Sequence, residues 1–146
     1  MSRRVFFSFE YGQDVFRANV VRKSWLTKGS SSGFVDAAEH EKIEKGGDAA
    51  IKKWISEQLN GTSVTVVLVG SKTCSSNWVQ HEIEKSKEVG NGLLGIDISK
   101  ISSVDGKTSD RCGKLPSGYP FYLWFKDEGY HNLGDWIEKA AKAAGR

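Results

Sequence analysis

The chain has 146 residues, the size of one domain, and at that length about two-thirds of the unfolded surface can be buried without a disulfide or metal staple. Hydrophobic residues make up 38% and charged residues 27%, and 21 Lys plus Arg against 18 Asp plus Glu leave a net charge of +3, too small a surplus to argue for nucleic acid. The two cysteines, Cys74 and Cys112, stand far apart in no paired-spacing motif, which excludes a secreted disulfide scaffold and makes a reducing cytoplasm the expected compartment.

Val5–Phe9 is a short apolar run, expected as a strand buried on both faces. Glu10 breaks it before it could form the core of a signal peptide, and no stretch approaches the ~20 apolar residues that span a bilayer. Asp14 is placed to cap a first helix, which should end near Thr27. Residues 28–47 read as a long loop with a short helical piece at Ala37–Lys45. Asp48 caps the next predicted helix, whose stripe is Ile51, Trp54, Ile55 and Leu59, and Asn60-Gly61 stops it.

Ser63–Val69 is β-branched and uncharged, as a central parallel strand should be. Gly70 ends it, and a polar loop leads to a helix over Trp78–Val89. Leu93–Ile98 is the third predicted strand, residues 99–118 a second long loop, and Tyr119–Phe125 a fourth strand. Leu133, Trp136, Ile137, Ala140, Ala141 and Ala144 give the last helix its apolar stripe. The alternation predicts a single α/β domain over 1–146, a flavodoxin-like parallel sheet with helices on both faces. Ligands in such sheets sit outside the carboxyl ends of the strands, here Ser8–Tyr11, Gly70–Trp78 and Asp97–Ser103.

Several common chemistries lack their signatures. Gly70-Ser71-Lys72-Thr73 has no upstream glycine for a phosphate loop, and no Gly-x-Gly-x-x-Gly follows the first strand. His40, His81, His131 and the cysteines make no zinc spacing, so no metal site is expected. Glu10, Asp97 and Lys126 fall only loosely where a phosphoacceptor domain would need them. What stands out is Trp78 and Glu82, four apart at a strand mouth and so on one helix face. An aromatic plane beside a carboxylate can hold a ribose and its base. The same pair also suits a core tryptophan and a solvated first-turn acid like Glu84 or Glu88.

Phe6-Phe7-Ser8-Phe9, the strand Ser63–Val69 and Ser75-Ser76-Asn77-Trp78-Val79-Gln80-His81-Glu82-Ile83 resemble the TIR domain. Phe16–Arg22, Ser63–Gly70, Trp78-Val79-x-x-Glu82-Ile83 and Gly92–Ile96 narrow this to a resemblance to the bacterial TIR-like family that includes the Thoeris anti-phage sensor subunit. The resemblance spans Arg4 to about Ile101.

The resemblance implies an enzyme that cleaves the nicotinamide–ribose bond of NAD and cyclises the ADP-ribose into a signal nucleotide. NAD is then substrate, and no resident cofactor is implied. Glu82 takes the place of the family's catalytic glutamate, with Glu84 as the fallback register. Phe7, Ser8, Phe9, Tyr11 and Trp78 are implied around the substrate by position. Arg17 is set near the strand mouth for a phosphate, and Asn19 shares its helix. The implied partners are a phage-derived activator protein, a separate effector reached through the diffusible nucleotide, and further copies of the chain. Neither nucleic acid nor membrane is implied. The segment Lys28–Gly47 does not resemble the loop through which receptor and adaptor TIR domains assemble. A non-catalytic TIR-type interaction module is the alternative, since many TIR domains only bind other TIR domains.

Overall fold

A computed structural model describes residues 4–26, 45–103 and 105–146. The described elements are β1 (Val5–Phe9), α1 (Tyr11–Leu26), α2 (Asp48–Leu59), β2 (Val64–Val69), a 3-10 turn (Thr73–Ser75), α3 (Asn77–Glu88), β3 (Gly92–Asp97), β4 (Phe121–Leu123) and α4 (Gly129–Ala143). The helical piece expected at Ala37–Lys45 and most of the loop 28–47 lie outside the described residues. So does the side chain of Trp25.

The strands form one parallel sheet in the order β1-β2-β3-β4. Alternate side chains leave opposite faces of a strand, and both faces are covered. Val5, Phe7, Val66, Leu68 and Ile96 pack with Ala18 and Val21 of α1 and with Leu133, Trp136 and Ile137 of α4. On the other face Phe6 meets Ile51, Ile55 and Leu59 of α2, while Val67, Val69 and Leu93 meet Val79 and Ile83 of α3. The result is the expected α/β, flavodoxin-like architecture. β2 is buried along its whole length, which is why its sequence shows no alternation.

Several boundaries differ from expectation. α1 begins at Tyr11, so Asp14 sits inside the first turn, donates its N–H to the Glu10 carbonyl over 3.0 Å, and caps nothing. Asp48 is likewise the first residue of α2, after Gly47 with φ 86°, and no side chain caps that end. β4 is only three residues long. Trp124, expected inside that strand, follows it and turns its ring into the core. Gly129 makes room for this turn, because a Cβ there would strike the Trp124 ring. Tyr122 stacks on Trp136 with centroids 4.0 Å apart and planes 4° from parallel. That contact seats α4 on the short edge strand.

The segment after β3 has no regular secondary structure, as expected, yet it is well fastened. Ile98 and Ile101 are buried, the Ile98 N–H donates to the Val69 carbonyl, and the Cys112 N–H donates to the Gly70 carbonyl. The chain therefore folds back over the carboxyl end of β2. The two cysteines, read as unrelated in the sequence, are bonded to one another across this fold-back.

Candidate active site

Parallel register sets the site. Ser8 lies beside Val67 near the carboxyl end of β1, and its side chain shares a face with Phe6. That face is covered by α2 and α3. Ser76 starts α3 by accepting the Val79 N–H at 3.2 Å, and two turns of helix carry Glu82 over the strand. The Ser8 hydroxyl donates to Glu82 Oε1 at 2.6 Å, with both residues buried. Burial pushes the Glu82 carboxyl up to about 8, against the opposing effect of the Ser8 hydrogen bond. Glu82 is thus no solvated first-turn acid, whereas Glu84 and Glu88 on the same helix are exposed beside Lys87 and Lys85.

Trp78, one turn before Glu82, is half-buried and packs against the cluster of Phe6, Ile51, Ile55 and Leu59. His81 meets its ring edge-on with centroids 6.0 Å apart. Trp54 of α2 packs on the same cluster, its ring 6.2 Å from that of Phe6 and tilted by 55°. Its indole nitrogen is buried without a hydrogen-bond partner among the described residues. Trp54 was read as a core residue on a helical stripe. The structure bears this out: Trp54 packs on the buried cluster of Phe6, Ile51, Ile55 and Leu59, as Trp78 does, on the sheet face that carries Glu82.

The structure does not bring Phe7, Phe9 or Asn19 to Glu82, and the side chain of Tyr11 lies outside the described residues. Phe7 is 2% exposed and belongs to the core on the opposite face, because a one-residue step along a strand reverses the side chain. Phe9, two residues on, packs against that same core. Tyr11 opens α1. Asn19 stands half-buried on α1, the helix covering the face opposite Glu82.

Arg17 is not available for a phosphate. It is buried, its Nε donates to the Ile101 carbonyl at 2.6 Å, and its Nη2 donates to the Lys107 carbonyl at 3.0 Å. Its Nη1 stands 3.7 Å from Asp14 Oδ1, close enough for charge attraction and too far for a hydrogen bond. Among the described residues both Asp14 oxygens are buried without a hydrogen-bond partner, packed against Gly70, where any Cβ would collide with them. Burial raises Asp14 to about 6, with Arg17 pulling it down and Glu10 pushing it up.

Asp97 does not present a free phosphoacceptor carboxylate. Its Oδ1 accepts from the N–H and hydroxyl of Ser99, and Arg111 Nη1 lies 3.7 Å from Oδ2. Among the described residues no three His, Cys, Asp or Glu side chains are grouped to hold a metal ion, and no helix is long and apolar enough to cross a membrane.

A parallel sheet with a Ser-held glutamate on the helix after β2, one turn beyond a tryptophan, defines a TIR-like domain. A model of the Thoeris protein ThsB TIR-like domain matches residues 6–103. The chain is also 44% identical over 140 residues to the protein named "Putative cyclic ADP-D-ribose synthase ThsB1" of Bacillus cereus (strain MSX-D12), covering 93% of this chain and 72% of that protein. The chain belongs to the Thoeris ThsB family of TIR-like proteins.

Proposed function

We propose that this protein is an NAD-cleaving enzyme of anti-phage defence, which releases nicotinamide and closes the remaining ADP-ribose into a cyclic signal. The observation that carries the reading is the buried Glu82 carboxyl held at 2.6 Å by Ser8 beside an aromatic surface. The name of the Bacillus cereus relative supports the cyclic product.

The chemistry asks little of the protein beyond charge and position. Nicotinamide leaves as a neutral molecule, and positive charge moves to the ribose in an oxocarbenium-like transition state. A carboxylate against that ribose stabilises the developing charge and hydrogen-bonds its hydroxyls. In the unliganded site Glu82 is largely protonated at neutral pH, because water is excluded from it. A nicotinamide-ribosyl cation brought beside it favours the ionised form, so substrate binding itself readies the group. The Ser8 hydroxyl fixes which way the carboxyl points. Trp78 and Trp54, both half-buried against Phe6 and its neighbours, offer flat apolar surface on which a cationic or neutral base can lie. Cyclisation requires the adenine end to be held near the ribose with water kept out, a task of position more than of acid–base chemistry.

NAD is substrate in this scheme, and no resident cofactor takes part. The protein works in the cytoplasm, is switched on by a phage-derived protein, and addresses a separate effector through its nucleotide product. Copies of the chain assemble when it is active. The test is nicotinamide release and nucleotide mass analysis on purified protein given NAD, with and without extract of phage-infected cells. Release that vanishes in Glu82→Gln is the expected result. Equal release by both proteins would overturn the role of Glu82, and no release under either condition together with retained phage protection in Glu82→Gln would replace this reading by that of an interaction module.

A further inference from the structure

Cys74 lies in the 3-10 turn between β2 and α3, and Cys112 in the irregular segment between β3 and β4. Their Cα atoms are 5.3 Å apart, a separation that a disulfide spans without backbone movement. The fold has no need of a staple: the sheet is covered on both faces by packed helices, and the bridge lies outside all of these clusters. Cys74 is exposed and within reach of an attacking thiolate, while Cys112 is half-buried.

The backbone around the pair is held independently of the sulfurs. The Cys74 N–H donates to the Cys112 carbonyl at 2.8 Å, and the Cys112 N–H donates to the Gly70 carbonyl at 2.9 Å. These bonds keep the two side chains adjacent when the bridge is open, so it can close again. The bridge is also the one covalent tie between the lead-in to α3 and the segment beyond β3. Ser76, which caps α3, is two residues past Cys74, and Trp78 and Glu82 follow on the next turns. On the other side, Arg111 next to Cys112 pairs with Asp97 and lies over the Phe121 ring at 4.8 Å.

We infer that Cys74–Cys112 is a thiol–disulfide exchange site that sets how firmly the segment beyond β3 is fastened to the start of α3. The co-reactant is a dithiol. One of its thiolates attacks the exposed Cys74 sulfur, the Sγ–Sγ bond breaks, and Cys112 leaves with the electron pair and takes a proton. The second thiol of the reagent then displaces Cys74 from the mixed disulfide. The protein gains two electrons and two protons, and the dithiol becomes a cyclic or protein disulfide. In a reducing compartment the site stands open, and oxidation closes it. The consequence for turnover rests on the proposed role of Glu82; the change in fastening does not.

The test uses the full chain treated with oxidised or reduced dithiothreitol. Alkylation under denaturing conditions should label both cysteines in the reduced sample and neither in the oxidised one. Hydrogen exchange in residues 71–80 and 105–118 should speed up about tenfold on reduction. The Cys74→Ser/Cys112→Ser protein should exchange at the reduced rate in both buffers. Labelling of both cysteines after oxidation, or exchange indifferent to redox state, overturns the inference. Nicotinamide release from the same samples reports separately: a redox difference lost in the serine protein extends the inference to turnover, and absence of release in every sample counts against the NAD reading alone.

Discussion

Ser8 and Glu82 are 74 positions apart in the chain and meet across 2.6 Å, hydroxyl to carboxyl, with both residues buried. The strand supplies the donor and the helix the carboxyl. A serine buried in a largely apolar sheet has a specific partner, and that partner is the residue proposed to act on NAD.

Ser8→Ala should therefore act on Glu82 rather than on the fold. Loss of one hydrogen bond costs about 1 kcal/mol of stability. The hydroxyl holds the Glu82 pKa down against burial, so its removal moves that pKa further above 8. The rising limb of kcat/KM against pH should shift to higher pH, and turnover at pH 7 should fall about tenfold. Ser8→Thr, which keeps the hydroxyl, should restore the position of the limb. A pH–rate profile on the three proteins checks this.

Glu82 also makes stability depend on pH. Its folded pKa, about 8, stands above the ordinary value of 4.5, so the folded protein holds a proton that the unfolded chain releases. The associated stability is present in full below pH 4.5 and is lost as the pH rises through 8. Glu82→Gln lacks this titration. Its stability relative to wild type should grow between pH 5 and 9 by an amount on the order of a few kcal/mol. Urea unfolding at a series of pH values measures the slope.

Arg17 holds the segment beyond β3 through the Ile101 and Lys107 carbonyls and faces the buried Asp14. Arg17→Met should destabilise the protein by about 2–4 kcal/mol at pH 7, because a buried carboxylate loses the cation that faces it. The Asp14 pKa, already about 6, rises when that attraction goes. The penalty should shrink below pH 5, where Asp14 is protonated and needs no cation. Thermal unfolding at pH 5 and pH 7 separates this from simple loss of packing, which would cost the same at both.

Gly92 opens β3 where α4 crosses it, and a Cβ there would run into the Ala140 carbonyl. Gly92→Ala should lower stability by about 2 kcal/mol or more, since backbone on both sides must give way. Gly106→Ala, where nothing stands within 4 Å but φ is +80°, should cost only about 1 kcal/mol. Chemical denaturation of the two variants side by side makes the comparison.

Local pattern carried much of this molecule. Val5–Phe9 and Val64–Val69 are buried on both faces and show it as unbroken apolar runs, and the α4 stripe repeats at helical spacing through Leu133, Trp136, Ile137 and Ala140. These features depend on neighbours a few residues away, so they are visible in one dimension, and with them came the parallel sheet and the pairing of Trp78 with Glu82 on one turn. Pairings between distant segments left no such trace. Phe7 is expected at the site by its position at the mouth of the first strand, yet adjacent strand residues face opposite ways, and only the packed helices show which side is which. Arg17 looked free for a phosphate until the segment beyond β3 returned two carbonyls to it. Cys74 and Cys112, 38 residues apart, carry no local signal of each other. The sequence by itself determined the elements, because periodicity is a property of neighbours. The tertiary structure decided which acid is buried, which arginine is spent on the fold and which cysteines meet, because burial and partnership are set by residues that the chain brings back from far away.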